Sequence, residues 1–262
     1  MVRFGQNFLS DPNLLDAIVR DAELDADDVV LEVGAGEGVL TERLAAVARC
    51  VQVIEIDRRL EQALAPIAAR QNVSLHWGDA MDLDLAGLEP APTAVVSNLP
   101  YAVATPVILR TVGELPSVQR WTVMVQREIA DRLRAEPGSR TYGSPSVVVQ
   151  LACEVKLLRK VDPAVFKPRP RVDSAILGLR RTGPGADGPT RELVRAAFAH
   201  RRKALARSVE HVRPGSLAAL REALVGLGLA ADARAEALSP DDFAALSAKL
   251  RESSSQGNRW RT

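Results

Sequence analysis

Cysteine is scarce in this chain. Cys50 and Cys153 are the only two among 262 residues, and no ligand-type spacing links them. That excludes a disulfide framework and a cysteine-cluster zinc site, and it points to a reducing compartment. Histidine is almost as sparse. His76, His200 and His211 are too scattered to suggest a ligand set, so no metal is expected. No apolar run approaches the roughly 20 residues that cross a bilayer. The opening MVRFGQNFLSDPN has neither an apolar stretch of signal-peptide length nor a small-residue cleavage site. These absences predict a soluble cytoplasmic protein with no membrane partner, taken here as a monomer. Hydrophobic residues make up 47% of the chain, enough for a sizeable core and too many for global disorder.

Charge is nearly balanced overall, at a formal net of +1, but it is unevenly placed. Residues 1–155 carry 13 basic and 22 acidic side chains, and residues 156–213 carry 15 basic and 5 acidic. Residues 214–262 balance at 6 and 6. A basic excess concentrated in one region attracts polyanions, and nucleic acid is the partner class it suggests.

The first two-thirds alternate apolar runs with amphipathic stretches. Residues 29–34, 51–56, 73–77, 93–98 and 121–126 are β-branched-rich and read as buried strands. Helical patterns at 40–48 and 60–70 lie between them. This alternation predicts a mainly parallel sheet with helices on both faces. Residues 146–155 and 174–180 read as further strands without a helix between them, so an antiparallel finish is expected. The Gly/Pro-rich stretch 182–190 reads as a linker. Beyond it, residues 190–212, 216–228 and 240–252 read as helices. The predicted organisation is a Rossmann-like α/β domain over 1–182, a small all-helical domain over 183–252, and a disordered tail over 253–262.

The first strand runs into Glu32-Val-Gly34-Ala-Gly36-Glu-Gly38 before a helix. Glycines there let the backbone turn tightly and approach a ligand. The dinucleotide fingerprint G-x-G-x-x-G fails, because Val39 stands at its last position. The spacing E-x-G-x-G-x-G instead resembles the first motif of class I methyltransferases. About 20 residues on, Glu55 ends the second strand, where an acid can accept from both ribose hydroxyls of a nucleoside. Asp79 ends the third strand and can accept from an adenine amine. Three such features at successive strand C-termini predict a nucleoside cofactor.

The fourth strand ends Asn98-Leu99-Pro100-Tyr101. Asn98 offers a side-chain carbonyl to an exocyclic N–H, and the Leu99 backbone carbonyl can accept the second. Pro100 stiffens the turn, and Tyr101 presents a flat face for stacking on a base. An adenine amine is a poor nucleophile because its lone pair is delocalised into the ring. Two acceptors can hold it so that the lone pair faces a methyl donor. Neither cysteine lies near this turn, which argues against cysteine-dependent methylation of carbon.

GQNFL (5–9), EVGAGEG (32–38), VIEID (53–57), GDA (78–80), NLPY (98–101), YGSPSVVVQ (142–150), FKPRPRVDSA (166–175) and AFAHRRKAL (197–205) occur here in a fixed order. Together they resemble the KsgA family of small-subunit ribosomal RNA adenine dimethyltransferases, over nearly the whole chain. The related Erm family usually has Ile where this chain has Leu99. The resemblance implies S-adenosylmethionine as cofactor, contacted by Asn7, Leu9, Gly34, Gly36, Glu55, Asp79 and Asn98. It implies Asn98, Leu99, Pro100 and Tyr101 at the target adenine, with Phe166 as the other side of a base clamp on an exposed, proline-stiffened loop. Lys167, Arg169 and Arg171 on that loop, with Arg195, Arg202, Lys203 and Arg207 on the predicted helix 190–212, would face RNA phosphates. Arg201 falls within the apolar arc of that helix, so either its stem packs on the core or the helix bends there. The sequence YGSPS stands where the family more often has YGxLS, which places Pro145 just before the expected strand at 146. The resemblance implies that residues 1–182 are the catalytic domain and 183–252 an RNA-binding domain, and the implied partner is 16S rRNA in the 30S subunit or its precursor. An Erm-type 23S rRNA methyltransferase and a non-catalytic ribosome-assembly factor are the alternatives.

Overall fold

The computed structural model describes residues 8, 9 and 11–255. They form two compact units, one from residues 1–130 and 154–182, the other from residues 131–153 and 183–262, each within the described range.

The first unit is built on a seven-stranded sheet. β1 (Phe8–Leu9) precedes α1 (Pro12–Asp21), whose start is fixed by Asp11 accepting from the backbone N–H groups of Asn13 and Leu14 at 2.9 and 3.1 Å. Then come β2 (Val29–Val33), α2 (Val39–Leu44), β3 (Cys50–Glu55), α3 (Glu61–Ala68), β4 (Val73–Trp77), β5 (Ala94–Asn98), α4 (Ala104–Glu114) and β6 (Arg120–Gln126). Every residue of β2 and β3 is buried, as a strand covered on both faces requires. α5 (Arg127–Leu133) carries the chain across the division, and α6 (Ser144–Gln150) belongs to the second unit. The chain returns through β7 (Cys153–Val161), β8 (Phe166–Lys167) and β9 (Ser174–Arg181).

The strand order is β4-β3-β2-β5-β6-β9-β7, with β1 and β8 forming a separate antiparallel pair. β2 through β6 pair in parallel, and β9 runs antiparallel to β6. The antiparallel finish is therefore present. From β2 the chain winds outward to β4, then crosses back to place β5 on the other side of β2. That reversal opens a crevice at the C-terminal ends of β2 and β5, where open α/β sheets bind ligands.

The expected strand at 146–155 is corrected. Residues 144–150 form α6, and the strand begins at Cys153. Pro145 sits in the first helical turn, where its missing N–H costs nothing. Ser146 Oγ accepts from the Gly143 backbone N–H at 3.1 Å and closes that turn. Val147 is buried in the core of the helical unit with Tyr142 and Phe243, and this packing outweighs the strand preference of the valine run.

The helical unit continues with α7 (Gly188–Phe198), α8 (Leu205–Val212), α9 (Leu217–Val225) and α10 (Pro240–Ser255). Two helices thus replace the one expected over 190–212. The linker is also shorter than expected, because Gly188 and Pro189 already belong to α7, capped by Asp187 accepting from Thr190 N–H at 2.9 Å. Ser253–Ser255 continue α10 rather than starting a disordered tail; the rest of that tail, residues 256–262, lies outside the described residues.

Candidate active site

The crevice contains a cavity of about 470 Å³ at the C-terminal edge of the sheet. Leu9, Gly34, Gly36, Glu55, Asp79 and Asn98 all line it, and so do Leu99, Pro100 and Tyr101. Asn7 lies outside the described residues.

The glycine loop is shaped by close approach. Gly34 has φ +80°, and a Cβ there would stand 3.1 Å from the Pro100 ring. Gly38 also has φ +80°, and a side chain there would collide with Ile67. The loop between β2 and α2 therefore sits directly against the Asn98–Tyr101 turn and leaves the volume beside it open.

Glu55 is buried, with its carboxylate oriented by backbone donors. Oε2 accepts from Gly36 N–H at 3.0 Å, and Oε1 accepts from the N–H groups of Ile56 and Asp57, both at 2.9 Å. Asp79 is half-buried and accepts from Met81 N–H at 2.8 Å. Its loop is held from α4 by Arg110, which donates to the carbonyls of Ala80 and Leu83 at 2.5 and 2.6 Å. Arg110 is a positioning residue that no sequence motif marks.

Asn98 ends β5 opposite Met124, and Leu99 N–H donates to the Met124 carbonyl at 3.1 Å, so the turn is anchored to β6. The Tyr101 hydroxyl and Ser174 Oγ are hydrogen-bonded at 2.5 Å. Burial pushes the Tyr101 phenol up, and the bond to Ser174 opposes that shift, so the ring stays neutral around pH 7. Ser174 is fully buried at the start of β9 and is the last residue but one of the FKPRPRVDSA motif.

The expectation that Phe166 stands on an exposed loop, as one side of a base clamp, is corrected as to exposure. Phe166 is 2% exposed, pairs with Leu9 and joins the core cluster with Ile18 and Ile176. The prolines stiffen the loop after it, at residues 168–170, while Phe166 itself lies in β8. Its ring offers no free face to a ligand in this conformation.

Glu32 opens the glycine motif yet is absent from the expected site residues. It is 1% exposed and lines the cavity. Neither its Oε2 nor Thr41 Oγ1 finds a hydrogen-bond partner of good geometry among the described residues. Burial, reinforced by the nearby Glu55 charge and opposed by the adjacent Thr41 hydroxyl, pushes Glu32 up to about 8. The motif spacing marks Glu32, but its burial in the cavity wall comes from the strand pairing around it. His76, by contrast, is committed to structure: its Nε2 is hydrogen-bonded to Gln52 Oε1 at 2.7 Å. Among the described residues, no group of three or more His, Cys, Asp or Glu is placed to hold a metal, and no helix is long and apolar enough to cross a membrane.

The cationic residues divide by pairing. Arg43, Arg110, Arg120, Arg159 and Arg180 each face a carboxylate. Arg169 comes within 3.7 Å of Asp162, with both side chains exposed. Arg171 in the first unit, and Arg195, Arg202, Lys203 and Arg207 in the second, are exposed and make no ion pair with a described residue. The side chain of Lys167 lies outside the described structure. Arg201 lies in the break between α7 and α8, where its guanidinium donates to the carbonyls of Arg140 and Tyr142 at 3.0 and 2.9 Å. The helix break resolves its position within the apolar arc.

Comparison with known proteins agrees with this geometry. Residues 2–252 match the family model described as Ribosomal RNA adenine dimethylase. The Ribosomal RNA small subunit methyltransferase A of Rubrobacter xylanophilus is 45% identical over 248 residues, covering 93% of this chain and 92% of that protein. Its counterpart in Streptomyces coelicolor is 46% identical, covering 92% and 88%. Among solved structures, a dimethyladenosine transferase from Plasmodium falciparum superposes with a TM-score of 0.81 at 25% identity, covering 94% of this chain and 98% of the other. The 23S rRNA methyltransferase ErmE gives 0.67 at 29% identity, covering 94% and 100%. The chain therefore belongs to the ribosomal RNA adenine dimethylase family of S-adenosylmethionine-dependent methyltransferases.

Proposed function

We propose that this protein transfers methyl groups from S-adenosylmethionine to N6 of two adjacent adenosines near the 3′ end of 16S rRNA, acting as a cytoplasmic monomer on the 30S subunit or its precursor. The observation that carries the reading is the junction of the glycine loop and the Asn98–Tyr101 turn in one cavity, where a Cβ on Gly34 would stand 3.1 Å from Pro100.

The residues fit the cofactor. The backbone of Gly34 and Gly36 lines the cavity, Glu55 presents an oriented carboxylate to a ribose, and Asp79 faces the same space. Glu32 adds a buried acid able to ionise beside a cationic ligand. Bound S-adenosylmethionine supplies a methyl group already activated by its sulfonium. The chain's own contribution is orientation. Asn98 Oδ1 and the Leu99 carbonyl hold the two N–H bonds of the target amine, and Tyr101, steadied by Ser174, stacks on the adenine. Positioning of this kind supplies about 7–11 kcal/mol in well-oriented systems. Residues 183–252 hold the RNA backbone through Arg195, Arg202, Lys203 and Arg207, and Arg169 and Arg171 serve the same end from the catalytic unit.

Incubation with labelled S-adenosylmethionine and unmethylated 30S or 50S particles, followed by mapping of the modified base, tests the proposal. Label on two adjacent adenosines of 16S rRNA is the expected result. Label on 23S rRNA alone would support an Erm-type activity, and tight 30S binding without transfer would leave an assembly factor.

A further inference from the structure

The turn at residues 199–204 and helix α8 bring together His200, Lys203 and His211. Lys203 Nζ is hydrogen-bonded to His211 Nε2, and the His200 and His211 rings lie 5.1 Å apart, edge to face. An ammonium group can only donate, and an imidazole nitrogen that carries no proton can accept from it. All three side chains are exposed.

The turn is held firmly. His200 N–H donates to Ser208 Oγ at 3.1 Å, and Ser208 Oγ donates to the Ala196 carbonyl at 2.7 Å. Arg201 anchors the same turn to the carbonyls of Arg140 and Tyr142. The three basic groups therefore sit on a fixed frame.

No carboxylate of a described residue forms an ion pair with them. The neighbouring acids are committed elsewhere. Glu192 on α7 pairs with Arg213, and Glu210 on α8 accepts from Gly215 N–H, Leu217 N–H and the Ser216 hydroxyl. In the turn itself Arg201 comes within 3.8 Å of Glu236, while Arg195, Arg202 and Arg207 are exposed cations. A lysine and two imidazoles fixed together without a counter-ion are chemically suited to an oxyanion.

We propose that His200, Lys203 and His211 form a discrete site for one RNA backbone phosphate, and that an imidazole takes up a proton as the phosphate docks. The proposal rests on the reading of this unit as RNA-binding. A phosphodiester carries one negative charge and no proton to give, so the proton comes from solvent. Docking places the anion between Lys203 and His211, replaces their mutual hydrogen bond with two bonds to phosphate oxygens, and makes protonated imidazole the better donor. Arg202 and Arg207 carry fixed charge and contribute affinity that does not change between about pH 6 and 8, whereas an imidazole titrates in that range.

The test measures the affinity of the full-length chain for a hairpin from the 3′ end of small-subunit rRNA at about pH 6 and pH 8, at constant salt. The parent should bind roughly tenfold more tightly at the lower pH. The His200→Gln/His211→Gln double variant should lose most of that difference, and His211→Gln, the milder change, should lose part of it. Calorimetry in buffers of different ionisation enthalpy should show net proton uptake by the parent and little by the double variant. A pH dependence unchanged in the folded double variant overturns the site. A parent that binds the hairpin at neither pH overturns the RNA-binding reading beneath it, so the two failures are distinct.

Discussion

Glu55 accepts from the backbone N–H groups of Gly36, Ile56 and Asp57 while lining the cavity. Its two oxygens have further acceptor capacity that a ribose diol can use. Glu55→Ala should therefore weaken S-adenosylmethionine binding by roughly 1.5–3 kcal/mol, the range for hydrogen bonds to a charged group. Calorimetric titration of the folded variant checks this, and unchanged affinity would remove Glu55 from the cofactor site. Glu32 makes a different prediction. Its ordinary value of 4.5 rises to about 8 in the folded chain. Between these values the folded state holds a proton that the unfolded state has released, so stability falls as pH rises through that window. Without cofactor, Glu32→Gln should flatten the decline in denaturation midpoint from about pH 5 to pH 8 relative to the parent. Parallel pH profiles for the two proteins would show that Glu32 is ionised in the folded chain.

At the scale of elements, the break between α7 and α8 places two of the basic groups in a turn rather than on a helix. Arg202 and Lys203 stand in the turn and Arg207 on α8, all exposed and without ion pairs among the described residues. Neutralising the three together should weaken RNA binding and flatten its salt dependence by about 0.7–0.9 for each phosphate that is no longer neutralised. Cofactor affinity should hardly change. An identical salt slope would mean that these groups are only solvated. The same break shows where sequence reading stops. Strands β2, β3, β5 and β6 are legible because buried parallel strands are nearly continuous apolar runs, and β9 because it repeats that pattern; β4, expected to be buried, is a half-buried edge strand. The cavity residues are legible because strand-end motifs lie where a parallel sheet opens. α6 is not, since its valine run has strand character and only packing against Tyr142 and Phe243 decides otherwise. Phe166 is misplaced by sequence because the prolines beside it suggest exposure, whereas its pairing with Leu9 is a long-range interaction. Glu32 and the Tyr101–Ser174 bond depend on burial and tertiary distance, which motifs do not encode.

At the scale of the whole molecule, two features lie in different units. The sheet unit holds the cavity, and the helical unit carries a cluster of cations without ion pairs among the described residues. RNA affinity drawn mostly from phosphates is separable from chemistry at the target amine. Asn98 is the residue through which this separation is tested, because it ends β5 at the cavity and belongs to no basic cluster. The decisive measurement is single-turnover methyl transfer to unmethylated 30S particles by Asn98→Ala, in protein shown to melt near the parent temperature and to bind the particles as the parent does. Loss of most methyl transfer with particle affinity retained is the predicted result. Transfer at the parent rate would contradict the orientation mechanism proposed for the Asn98–Tyr101 turn.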